Sequence, residues 1–437
     1  MNELRIGLLG LGTVGGGVVK LLRENGDLFA QRSGLRPCLV RIATRHPGNR
    51  SDLDLTGISI SDNPDDVVDA VDVDVVVELM GGIHPAYTLV KRALSCGKHV
   101  VTANKALLAE SGNELLALAG QTGCELAFEA SVAGAVPIIK ALRESLSANR
   151  IQQLFGILNG TCNFILTEMR ERGLPFGQVL ADAQAKGYAE ADPSFDVDGI
   201  DAAHKLSILA AIAFGIPIDF SKVSVEGIRG VSDVDIAWAS EMGFRIKLLG
   251  IAKQSAKGIE LRVQPTLVPV ESMVAKVEGV FNAVFVQGDF SGTTMFFGRG
   301  AGEKPTASAV VADLIEIARH RHAQIKGNRV SGLSTLLEYV KPGTICTLDD
   351  LQGEYYLRLS VQDRPGVLSE VTQIFARHQI SINAIHQKGR SSHTAVPLVL
   401  VTHETSEKQI QASLKEIRQL KSVQEKPQLI RIENIIE

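Results

Sequence analysis

The chain has 437 residues, 45% of them hydrophobic, which is room for two or three domains with sizeable cores. A formal net charge of -4 without a long basic run argues against nucleic acid as a partner. Five scattered cysteines (Cys38, Cys96, Cys124, Cys162, Cys346) show neither disulfide nor zinc spacing, and no apolar stretch is long enough for a bilayer or shaped as a signal peptide. The expected compartment is a reducing cytoplasm, with no membrane partner.

A buried strand is expected over residues 4–9. Gly10-Leu-Gly-Thr-Val-Gly15 follows at once, and helical periodicity then runs over 14–22. A Gly-x-Gly-x-x-Gly is weak alone and strong between a first strand and a first helix. Gly10 permits the tight turn, Gly12 lets backbone approach a pyrophosphate, and Gly15 lets helix pack on strand. With Thr13 and Val14 they form a candidate dinucleotide loop at a helix N-terminus. The second strand, over 39–43, ends in Thr44-Arg45-His46. NAD enzymes usually place an acid here for the ribose 2′-hydroxyl. Arg45 suits a 2′-phosphate instead, which points to NADP, with NAD possible.

Strands over 74–79, 99–102 and 124–129 alternate with helices over 85–95 and 112–121. This is βαβ logic and predicts a parallel sheet in a Rossmann-like domain over 1–135. Thr102 and Lys105 fall at a strand end, where ligands lie in open α/β sheets. Lys105 reads equally as a solvated lysine opening the next helix. Residues Glu129 to Pro137 are small, apolar and glycine-bearing, a backbone-rich crossover.

Residues 136–302 read as a mixed α+β region, with strands over 258–268 and 279–286. Gly187-Tyr-Ala-Glu190-Ala-Asp192-Pro-Ser-Phe-Asp196-Val-Asp198 is acidic, and carboxylates near a pocket suit a substrate ammonium. Ser194-x-Asp196-x-Asp198-Gly199 mimics the start of a calcium loop, but its twelfth position is Lys205, where a glutamate is required. Calcium is therefore excluded. Asp201 and Lys205 stand four apart on one helical face. The apolar run that follows (Leu206, Ile208, Leu209, Ile212) sets this helix against a core. Such a lysine can exchange a proton with a substrate; otherwise it is a rim lysine paired with Asp201. Gly298-Arg-Gly-Ala-Gly302 is a second glycine loop. The helix after it, over 303–323, is expected to pack back on the first domain and set Gly302 near the cofactor.

A polar, aperiodic stretch over 343–354 reads as a linker. Beyond it, strands over 355–361, 380–387, 395–402 and 428–432, a helix opened by residues 363–368 and running to 378, and a helix over 406–420 give βαββαβ, a ferredoxin-like unit over 355–437.

Three segments carry a family resemblance: Lys186-Gly-Tyr-Ala-Glu-Ala-Asp-Pro with Asp198-Gly-Ile-Asp-Ala-Ala-His-Lys-Leu, Asn159-Gly-Thr-Cys-Asn-Phe-Ile-Leu, and Thr102-Ala-Asn-Lys. With the ferredoxin-like tail, the chain resembles homoserine dehydrogenases of the bacterial type with a C-terminal ACT domain, over nearly its whole length. The resemblance implies an α/β protein: a Rossmann-like domain, a mixed α+β substrate and dimerisation domain, and an ACT domain. It implies reversible NAD(P)H-dependent reduction of L-aspartate 4-semialdehyde to L-homoserine, in threonine, methionine and isoleucine biosynthesis. Lys205 would be the catalytic acid/base with Lys105 beside it, keeping the field positive for the developing oxyanion. Glu190 and Asp201 would bind homoserine, and Gly187 and Gly302 would lie along the cofactor. Glu129, Val132, Gly134 and Val136 would hold Na+ or a similar monovalent cation, largely through carbonyls. The loop opening at Asp363-Arg-Pro-Gly would sense L-threonine, and the chain would form a homo-oligomer, dimer or tetramer. Two rival readings remain: an aldehyde dehydrogenase with Cys162 as nucleophile, and a non-catalytic sensor of nucleotide and amino acid.

Overall fold

The computed structural model describes residues 2–46, 50, 52–324, 330–388 and 394–434. The chain divides into two compact units. The first comprises Met1–Gly160, Asp201–Val223 and Val280–Gly343, and the second Thr161–Ile200, Ser224–Gly279 and Thr344–Glu437.

The first unit is built on a six-stranded sheet of β1 (Glu3–Leu9), β2 (Arg36–Ala43), β3 (Ser59–Ser61), β4 (Val75–Glu78), β5 (His99–Thr102) and β6 (Leu126–Ala127). The order is β3-β2-β1-β4-β5-β6, and every neighbouring pair is parallel. Val75, Val76 and Val77 are fully buried, as expected of a strand covered on both faces. Helices Thr13–Glu24 and Glu303–His322 share one core through Val18, Val19, Leu22, Ala307, Val310 and Leu314. A Cβ on Gly17 would lie 2.8 Å from Glu303 and 3.0 Å from Ala307, so these helices pack nearly backbone to backbone. A short antiparallel sheet completes the unit. Its central strand, Phe281–Gly288, pairs with Ile151–Ile157 on one side and Gly292–Arg299 on the other.

Several expected bounds move. The helix expected over 112–121 runs Lys105–Thr122, because the Asn104 side chain accepts the Leu107 amide at 3.1 Å and caps it early. The strand expected over 124–129 shrinks to Leu126–Ala127, followed by a 3₁₀ turn at Glu129–Ser131. Helix Gly26–Ser33 and strands β3, Ile151–Ile157 and Gly292–Arg299 carry no strong periodic signal and were not anticipated.

In the second unit, Phe244–Ser255 and Gly258–Pro269 form an antiparallel hairpin. Gly258–Pro269 also pairs in parallel with Gln428–Ile432. The strand order continues Gln428–Ile432, Gln352–Val361, Val396–Thr402, Ile382–Gln387, all antiparallel. With helices Val367–Arg377 and Glu407–Ile417 this is the βαββαβ ACT fold, closed over a core of Tyr355, Leu357, Phe375, Leu398 and Leu414. Residues 343–354 are structured. Ile259 donates its amide to Thr344 at 2.8 Å, and Thr347 and Asp350 form a capping box. Among the described residues no helix is long and apolar enough to cross a membrane.

Candidate active site

The glycine loop occupies the turn between β1 and helix Thr13–Glu24, where the strand order reverses. Its three glycines meet three different demands. Gly10 has φ +98°, and a Cβ there would lie 2.7 Å from the Leu79 carbonyl oxygen. A Cβ on Gly15 would lie 2.1 Å from the Gly10 carbonyl oxygen, whereas one on Gly12 would meet nothing within 4 Å. Gly12 thus faces open space, and as N-cap it offers no side-chain acceptor. The first-turn amides behind it are placed for an anion. Gly10, Gly12 and Thr13 line a cleft of about 720 Å³ together with Arg45, His46 and Arg50. Val14 packs toward the core. Arg45 is exposed at the cleft. Arg50, which the sequence reading passed over, reaches the loop itself: Nη1 donates to the Gly12 carbonyl at 2.7 Å and Nε to Asp52 at 3.0 Å.

Thr102 is fully buried. Its hydroxyl donates to Glu78 Oε2 at 2.6 Å and accepts the Asn104 amide at 3.0 Å, so its side chain shapes the strand end. Gly302 has φ +125° and caps helix Glu303–His322, whose Glu303 pairs with Lys20 at 2.9 Å.

The second cluster forms around Asp201, in the first turn of helix Ile200–Phe214. Asp201 Oδ2 accepts from Lys205 Nζ at 2.7 Å and from Asn159 Nδ2 at 2.8 Å, and Oδ1 lies 3.1 Å from Lys105 Nζ. Lys105 does open its helix, but its ammonium is paired with Asp201 and so is brought to this cluster. Lys205 also donates to the Leu158 carbonyl at 2.7 Å, an oxygen shared with Asn282 Nδ2 at 2.9 Å. Lys205 and Asp201 are buried, while the Lys105 side chain keeps 34% exposure, so the cluster opens at that lysine. Burial alone would raise the Asp201 pKa. The charges of Lys205 and then Lys105, with hydrogen bonds from Lys205 and Asn159, hold it well below the usual carboxylate range. The carboxylate is therefore ionised, with two ammonium groups beside it. Asn159 stood inside a quoted motif without a role; Asn282 had no sequence signal.

Glu129, Val132, Gly134 and Val136 are all buried. Ala133 and Gly134 are both left-handed, at φ +54° and +51°, which turns the chain sharply within this crossover. The Glu129 carboxylate accepts the Ile139 and Lys140 amides at 3.0 and 2.8 Å. Burial, then Asp313, push its pKa up to about 7 against the pull of those amides. With the carboxylate so engaged, a cation at this turn would draw on main-chain oxygens, a donor set that fits a hard monovalent ion.

In the second unit Gly187 has φ +72° and follows helix Phe176–Ala185, and the Glu190 side chain is exposed. Gln184 Nε2 donates to the Glu190 carbonyl at 3.0 Å, which folds this acidic segment against the helix. Cys162 is fully buried, its thiol donating to the Asp196 carbonyl at 3.2 Å. A buried thiol used as a donor is a poor nucleophile, so the aldehyde-dehydrogenase reading fails.

Residues 137–315 match the homoserine dehydrogenase family, residues 10–129 the NAD binding domain of homoserine dehydrogenase, and residues 355–422 the ACT domain. A homoserine dehydrogenase of Pseudomonas aeruginosa is 47% identical over 439 residues, covering 100% of both chains. The chain belongs to the homoserine dehydrogenase family. The solved structure of a homoserine dehydrogenase from Thiobacillus denitrificans matches with a TM-score of 0.94 at 49% identity, covering 99% of each chain. A hyperthermophilic archaeal homoserine dehydrogenase in complex with NADPH matches with a TM-score of 0.63 at 27% identity, over 75% of this chain and 100% of its own. Family membership makes the chain an oxidoreductase with an NAD(P)-binding domain and an ACT domain, and it sets aside the non-catalytic sensor.

Proposed function

We propose that the chain interconverts L-aspartate 4-semialdehyde and L-homoserine with NADPH as preferred cofactor, and that Lys205 is its acid/base. The observation that carries this is the buried Lys205 ammonium, held between Asp201 and the Leu158 carbonyl with Lys105 alongside. When bound, the nicotinamide supplies the hydride. Lys205 donates a proton to the carbonyl oxygen of the substrate as it becomes an alkoxide, and takes it back in the oxidation. Lys105, more exposed, adds positive field for the developing oxyanion. Asp201 holds both lysines near each other. An ionised carboxylate has about four lone-pair sites, so one remains beside its three partners for the substrate ammonium, with Glu190 as the second anionic contact.

Gly10, Gly12, Thr13, Val14, Gly15, Thr102, Lys105, Gly187 and Gly302 are assigned to the cofactor. Thr102 contributes through the backbone, because its hydroxyl is engaged with Glu78. Arg45 meets the 2′-phosphate, and Arg50 the pyrophosphate, on the strength of its contact with Gly12. The NADPH complex of the archaeal relative supports the same cofactor here. Glu129, Val132, Gly134 and Val136 would hold a monovalent cation such as Na+ and stiffen the crossover. L-Threonine is the effector assigned to the ACT loop at Asp363, as feedback from the pathway end. The exposed Phe290 and Phe297, on and beside strand Gly292–Arg299, support a homo-oligomer. Absorbance of NADPH formed from L-homoserine, with NADP and NAD compared, tests the core of this reading. Equal kcat/KM for the two cofactors would overturn the NADP preference.

A further inference from the structure

We propose that Asn282 is a positioning residue for Lys205, acting through the Leu158 carbonyl that both side chains share; this rests on Lys205 being the proton donor. Strand Phe281–Gly288 pairs antiparallel with Ile151–Ile157, with Ala283 opposite Ile157. That register brings Asn282 beside Leu158, just past the end of its strand. The Leu158 oxygen accepts from Asn282 Nδ2 at 2.9 Å and from Lys205 Nζ at 2.7 Å. A carbonyl oxygen has two lone pairs, so these donors fill it. Asp201, the other partner of Lys205, lies on the same helix one turn earlier and moves with it. Leu158 lies outside that helix, so its oxygen fixes the ammonium against the antiparallel sheet, and Asn282 fixes the oxygen.

Room for the amide is built into the backbone. A Cβ on Gly300 would lie 2.2 Å from Asn282 Cγ and Oδ1, and one on Gly160 would lie 3.4 Å from Oδ1. Asn282 is 1% exposed, and its Oδ1 has no hydrogen-bond partner among the described residues. Its strand neighbours Ala283, Val284 and Phe285 are buried and apolar. A valine or leucine would suit this strand and avoid burying an unpaired acceptor. The asparagine is accounted for by its donor, which is the half of the amide aimed at Leu158.

The test uses the full-length enzyme with L-homoserine and NADP. Asn282→Ala removes the donor. Asn282→Leu removes it while keeping the branched shape and leaving no cavity, in case the cavity left by alanine impairs folding. The expected result is a fall in kcat of about 10²-fold, the scale of a small misplacement of a reacting group. KM for both substrates should hold, and the solvent isotope effect on kcat should rise as proton transfer becomes limiting. Wild-type kcat in either folded variant would overturn the proposal. So would a lower kcat with an unchanged isotope effect, which is the mark of a purely structural role. Lys205→Ala, run alongside, separates the two levels. If it is inactive while the Asn282 variants are normal, only the positioning role fails. If it turns over normally, the reading of Lys205 itself has failed.

Discussion

Asp201 accepts a hydrogen bond at 2.7 Å from Lys205, one helical turn further along. The acid precedes the base at i, i+4, the order that also suits the helix dipole. The same carboxylate carries Lys105, so two cations gather in a largely buried place because one anion is held ionised between them. Lys205→Ala removes the proposed proton donor and leaves the glycine loop untouched. Turnover should fall by about 10²–10⁴, as for loss of a general acid, while NADP still quenches or shifts intrinsic fluorescence on binding. A kcat near wild type would remove Lys205 from the mechanism.

Asp201 and Glu190 should fail in different ways. Asp201→Asn leaves the two lysines facing each other without a counter-charge, and breaking a buried pair costs roughly 3–5 kcal/mol. Its Tm should drop together with kcat. Glu190 is exposed. Glu190→Gln should keep its Tm and lose kcat/KM for homoserine alone. Thermal melts and kinetics on both variants decide this. A Glu190→Gln variant with unchanged kinetics would leave the substrate ammonium to Asp201.

How much of this was legible depended on whether a residue acts through local or distant geometry. The glycine loop was readable because a strand, a turn and a helix start are all local. Asp201 and Lys205 were readable because helical spacing sets them on one face. Lys105 stayed ambiguous, since its partner arrives from a helix far along the chain. Asn282 could not be found at all: its partner is a backbone oxygen across a sheet, and any residue type carries one. The early start of helix Lys105–Thr122 had a signal that was missed, the capping Asn104. Arg50 had a weaker one, a second arginine soon after the cofactor strand.

The two arginines of the cleft should separate by cofactor. If Arg45 meets the 2′-phosphate as proposed, Arg45→Ala should weaken NADP far more than NAD. Arg50 touches the phosphate loop, and the pyrophosphate is common to both cofactors. Arg50→Ala should therefore weaken NADP and NAD alike. Titration of each variant with both cofactors measures this, and equal losses in Arg45→Ala would assign that arginine elsewhere.

His99 adds an acid limit to stability. Burial, then the charge of Arg321, lower its pKa from 6.5 to about 4, and its Nδ1 accepts the Glu125 amide at 3.0 Å, which only the neutral ring can do. The unfolded chain binds this proton more readily, so the contribution is full above pH 6.5 and is lost as pH falls towards about 4. The loss is on the order of 3 kcal/mol. His99→Asn keeps an acceptor and does not titrate. Urea unfolding at the two ends of that window should show a smaller acid loss in the variant. An identical loss would place the acid sensitivity elsewhere.

The ACT fold should regulate, yet it should not be removable at no cost. Asp235 is fully buried and accepts from Tyr356 at 2.9 Å and from Arg358 at 2.7 and 3.1 Å. Strand Gly258–Pro269 pairs with Gln428–Ile432, and Arg431 is anchored to Glu407 at 2.6 Å. A chain ending near Thr347 loses that strand and strips Asp235 of its guanidinium, a change worth roughly 3–5 kcal/mol. Such a protein should melt lower and lose activity through instability, even though none of the residues assigned to chemistry has been removed. A truncated form with the parent Tm would show that these contacts are idle. Regulation is better tested by a point change at the ACT loop. If threonine is the effector, as proposed, it can act only through different affinities for active and inactive states. Asp363→Ala should therefore raise the threonine concentration needed for half-inhibition and leave uninhibited kcat alone. Unchanged inhibition in that variant would move the effector site away from this loop, with the homoserine pocket as the next place to look.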